Sequence, residues 1–76
     1  MDDDDRELLR HLFAVATEFA ESAHDIAANG QSDHLAAQDY ADLAHQLQTA
    51  ARNISVLAEA AAIIATRPAG TADPTP

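Results

Sequence analysis

Two pairs of residues in this sequence have types and a spacing that could do chemistry. Glu21-x-x-His24 and Asp42-x-x-His45 each set a carboxylate and an imidazole three residues apart. On a helix that spacing puts both groups on one face, a turn apart. Glu18 adds a carboxylate one turn earlier. Helical bundles that bind two iron ions use inward-facing Glu-x-x-His pairs of this kind. Here the apolar periodicity points the groups the other way. Glu18, Glu21 and Asp25 project away from the large-residue seam of their helix, and His45 lies opposite the seam of the second. Glu21, His24, Asp42 and His45 are therefore candidates only for a metal held at a surface or an interface, and solvated acidic faces are the simpler reading. His11, His24, His34 and His45 have no Ser or Cys partner at readable spacing, and there is no nucleophile elbow, Gly-rich loop or zinc signature. No convergent set of nucleophile, base and oxyanion donors is in sight. The expectation is a protein that is not an enzyme and uses no cofactor.

Composition narrows the field further. The chain has 76 residues, of which 19 are Ala and only Phe13, Phe19 and Tyr40 are aromatic. Bulk per residue is low, and a chain this short buries little by itself. There is no Cys, which excludes disulfides and thiolate metal sites. The net charge is -9 and all four basic residues are Arg. That balance argues against nucleic acid, whose phosphates must be neutralised by Lys and Arg, and against anionic membrane surfaces. No apolar run approaches the ~20 residues that cross a bilayer. The acidic start, Met1 to Asp5, is the opposite of a signal peptide. A cytoplasmic location follows as the expectation, and heavy use of Ala with Arg in place of Lys hints at a bacterial source.

The elements that would position these residues are two helices. Residues 1–28 and 33–66 contain neither Gly nor Pro, and all Gly and Pro lie at 30 and in 68–76. The spacing predicts helices over about 5–28 and 33–66, an acidic flexible start at 1–4 and a disordered tail at 67–76. Asp5 is the expected cap of the first helix, with Asp2 to Asp4 beside its positive end. Asn29-Gly30 is the expected stop, Gly30 taking a positive φ, with Ser32 or Asp33 capping the second helix. In helix one, Leu8, Leu12, Val15, Phe19, Ser22 and Ile26 form a large-residue stripe beside Leu9, Phe13, Ala16, Ala20, Ala23 and Ala27. In helix two, Ala36, Tyr40, Leu43, Leu47, Ala50, Ile54, Leu57, Ala61 and Ile64 keep an unbroken 4-3 spacing. A parallel stripe starting at Ala37 is mostly Ala. Seven-residue spacing favours coiled-coil-like packing at about +20°.

A short turn makes the helices antiparallel neighbours. With a turn over 29–32, residues whose numbers add to about 61 lie level, and the first helix runs out opposite Ser55. Residues 56–65 would then overhang, apolar on every side except Glu59. A helix apolar all round is normally buried, and a second copy is the simplest cover. The expected fold is an all-α antiparallel hairpin that dimerises into a four-helix bundle. Its expected dimer interface is Val56, Leu57, Ala61, Ile63 and Ile64. This build is similar in shape to the Rop-type dimeric helical hairpins, although too few basic residues are present for the RNA binding of that type. The expected function is a small acidic interaction protein of the regulator, adaptor or inhibitor kind. It would act as a homo-oligomer, with itself and another protein as partners. A helical bundle that binds metal or an apolar ligand is the alternative.

Overall fold

The computed structural model describes residues 1–67. The chain is all-helical: α1 covers Asp3–Asn29 and α2 covers Ala37–Ala65, and the two pack against each other as a hairpin. The expected disordered tail lies, apart from Arg67, outside the described residues.

The first helix starts earlier than expected. Asp2 is the cap, its Oδ1 accepting from the Asp5 backbone N–H at 2.9 Å. Asp3 to Asp5 fill the first turn, where the helix dipole favours negative charge. Of the residues assigned to a flexible start, Asp2 is thus the cap and Asp3 and Asp4 are helical. Four Asp in a row made several caps possible, and the first of them takes the role.

The hairpin link is longer than the sequence suggested, spanning the seven residues 30–36. Gly30 is not left-handed: at φ -70 and ψ -10 it continues the right-handed turn, and its N–H donates to the Ile26 carbonyl at 3.0 Å. The left-handed residue is His34, at φ 68. Neither Ser32 nor Asp33 caps α2; Ala36 does, without a side-chain hydrogen bond. The Tyr40 hydroxyl donates to the Ser32 carbonyl at 3.0 Å, which ties the link to the first turn of α2. Leu35, within the link, is half-buried.

That longer link removes the overhang. The Asp5 carboxylate meets the Arg67 guanidinium at 2.7 Å, joining the two ends of the hairpin. At the other end, Ile26 and Ala27 lie beside Leu43 and Ala44. Level residues therefore add to about 70, which corresponds to a slide of about 13 Å from the shorter-turn register at 1.5 Å per residue. With 27 and 29 residues, the helices are nearly matched in length. α1 runs alongside residues 56–65.

The seam of α2 is the stripe the sequence shows: Leu43, Ala50, Ile54, Leu57, Ala61 and Ile64 are buried or half-buried. The seam of α1 alternates between its two stripes. Asp5, Leu9, Leu12, Ala16, Phe19, Ala23, Ile26 and Gly30 are half-buried, at an unbroken 4-3 spacing. A large residue thus meets a small one along much of the seam, which lets the helices approach closely.

Candidate functional site

The acid and imidazole pairs do not converge. Glu21, His24, Asp42 and His45 are all exposed. His24 Nδ1 lies 3.7 Å from Asp25 Oδ1, with both side chains more than four-fifths exposed, so its acidic neighbour is not Glu21. Asp42 Oδ1 accepts from Gln38 Nε2 at 2.9 Å, one turn earlier on the same helix. Among the described residues no three His, Asp or Glu side chains come together as a metal site would require. Nor is any helix of the described residues long and apolar enough to cross a membrane.

What distinguishes the surface is its exposed apolar residues. Among the described residues only Ala50, at 5%, and Ala61, at 6%, are buried. No large side chain among them is fully enclosed. Phe13 is 63% exposed, and Val56 and Ile63 are each 61% exposed; Leu8, Tyr40 and Leu47 also keep much of their surface in water. The cause is geometric. The Cα atoms span 20 Å across but only 11 Å in thickness, which is a single layer of helix. A stable domain is built from at least two packed layers around one core. Each helix here shields the other along one stripe and leaves the two broad faces of the layer open.

The register assigns the residues to these faces. At 100° per residue, Phe13, Ala20 and Ala27 sit roughly a quarter turn to one side of the α1 seam. Ala37, Ala44, Ala51, Ala58 and Ala65 sit about a quarter turn to one side of the α2 seam. In an antiparallel pair these two sides form the same broad face. The hollow where Ala27 and Ala44 lie together with Ile26, Tyr40, Leu43 and Leu47 is the direct sign of this. The opposite broad face carries Leu8, Val15, Val56, Ala60 and Ile63 near the chain ends, and Asp25, Asp39 and Asp42 near the link.

The residues expected at an interface between copies therefore divide. Ala61 is buried within the hairpin and Leu57 and Ile64 are half-buried in its seam, because α1 covers them. Val56 and Ile63 remain open to a partner. Phe13 was not singled out by the sequence. It belongs to the small-residue stripe of α1, and only its place as the one large, bulging member past Leu9 distinguishes it. No protein-family model, curated protein or solved structure matches this chain.

Proposed function

We propose that this protein is a small non-enzymatic interaction module that works as a homo-oligomer, two hairpins stacking into a four-helix bundle whose acidic exterior meets another protein. The observation that carries this reading is the layer without a core: among the described residues nothing larger than Ala is buried, while Phe13, Val56 and Ile63 stand mostly in water. Full burial of each such side chain contributes about 1.5–3 kcal/mol. A hairpin of this size has little stability to spare, so a second layer that covers one of the two open faces is the arrangement that physical chemistry favours.

The charge distribution gives the exterior its character. From Glu7 onward, the helical acids of the described residues lie on the outer edges of the layer or on the face of Asp39 and Asp42. A stacked pair would present them to solvent as a carboxylate surface, suited to a basic protein partner. The experiment is to dilute the protein from micromolar to nanomolar concentration while following helix content and thermal unfolding by circular dichroism. Folding linked to association lowers the melting temperature on dilution. A melting temperature independent of concentration would contradict the reading.

A further inference from the structure

We infer that the second copy docks on the alanine face, with Phe13 of each chain seated in the hollow at the link end of the other. This rests on the homo-oligomer reading above and assigns its interface.

Three observations select this face. The first is charge. At -9, two copies repel unless the surfaces that meet are free of acid. Glu7, Glu21 and Glu59 lie on the outer edges, and Glu18, Asp25, Asp39 and Asp42 lie toward the opposite broad face. None of these seven falls on the face of Ala20, Ala27, Ala44, Ala51 and Ala58; the other acids of the described residues, Asp2 to Asp5 and Asp33, lie at the start of α1 and in the link. The second is shape. On that face Phe13 stands out, and hollows lie at both ends: one of about 260 Å³ at the link end, where Ile26, Ala27, Gly30 and Gln31 meet Tyr40, Leu43, Ala44 and Leu47, and one of about 360 Å³ beside Phe13 itself, lined by Met1, Arg6, Leu9 and Arg10. Pockets for small-molecule ligands usually start near 300 Å³ and are more enclosed, so the open link-end hollow suits a single side chain better. A two-fold interface needs such self-complementarity, because residue i meets j wherever j meets i. The third is area. The face is ~40 Å long and ~20 Å wide, about 800 Å² per copy, which is the size of a standard stable interface.

The positions of bulge and hollow fix the axis. Phe13 and the hollow beside Ala27 are symmetric about the level of Ala20 on α1, which is also the level of Ala51 on α2. A two-fold axis running across the helices at that level stacks each helix antiparallel on its own copy. Small residues then meet at the centre, where the backbones must approach most closely. The same operation brings Arg6 toward the link of the second copy, which carries Asp33. An axis parallel to the helices would set Phe13 over the level of Ser55 and Ala58, away from the link-end hollow, and Arg6 over that of Ile64, away from Asp33.

The test uses the full chain, with sedimentation equilibrium and cysteine cross-linking. Phe13→Ala should raise the dimer dissociation constant at least ~30-fold, the scale of an interface hot spot, whereas Val56→Ala and Ile63→Ala leave it within about threefold. Ala20→Cys, in a chain with no other Cys, should cross-link to itself under mild oxidation, and Val56→Cys should not. A wild type that is monomeric at every concentration would overturn both this inference and the homo-oligomer reading. A dimer that ignores Phe13→Ala, or that cross-links through Val56→Cys and not through Ala20→Cys, would overturn this interface and leave the homo-oligomer reading standing.

Discussion

Gly30 and His34 divide between them what one glycine was expected to do. The sequence signal at Asn29-Gly30 is the usual one for a left-handed helix stop. In the structure Gly30 stays right-handed, and a Cβ added there would meet the Ala27 carbonyl at an ordinary 3.4 Å. Glycine at such a position only adds freedom to the unfolded chain. Gly30→Ala should therefore raise stability by about 0.4–1 kcal/mol, measured as a higher urea midpoint. The left-handed strain sits instead at His34, where φ is 68. A β-branched side chain there is penalised by about 1–2 kcal/mol, so His34→Val should lower the midpoint while His34→Gly should not. If Gly30→Ala destabilised and His34→Val did nothing, the link would have the conformation the sequence first suggested. The four acid and imidazole residues were legible as residue types, and the outward direction of Glu21 and His45 was legible from periodicity. What separates them from one another, such as the bond from Gln38 to Asp42, depends on rotamers that spacing does not specify.

The two helices were legible as elements because Gly and Pro are absent from both spans and the apolar residues recur at 4-3 spacing. The seam of α2 could be read directly, since one stripe holds nearly all its large residues. The seam of α1 could not. Its large and small stripes lie one residue apart, and the interface runs between them, taking Leu12 and Phe19 from one and Leu9 and Ala16 from the other. Register was the least legible quantity. It depends on the length of the link, and Ser32 and Asp33 offered plausible caps that α2 does not use. Ala36 holds that place with extended φ -71 and ψ 156, a backbone well suited to a capping side chain it lacks. Ala36→Ser should thus add about 1 kcal/mol of stability, seen as a raised melting temperature at fixed protein concentration. No gain would mean that the start of α2 frays back beyond residue 37.

At the scale of the whole molecule, the overhang that first suggested a dimer is absent, and the argument for assembly now rests on the open faces. One layer of helices leaves Phe13 on one side and Val56 and Ile63 on the other. The sequence showed that the chain was too short and too rich in Ala to enclose a core, which is a statement about volume and needs no register. It could not show which face the acids from Glu7 onward within the helices avoid, because that follows from how the two helices are turned toward each other. The account requires that this hairpin not exist alone at working concentrations. Static light scattering of the wild-type chain at micromolar concentration measures that directly. The expected mass is twice the 8.0 kDa of the chain, and a well-folded particle of 8.0 kDa would contradict assembly.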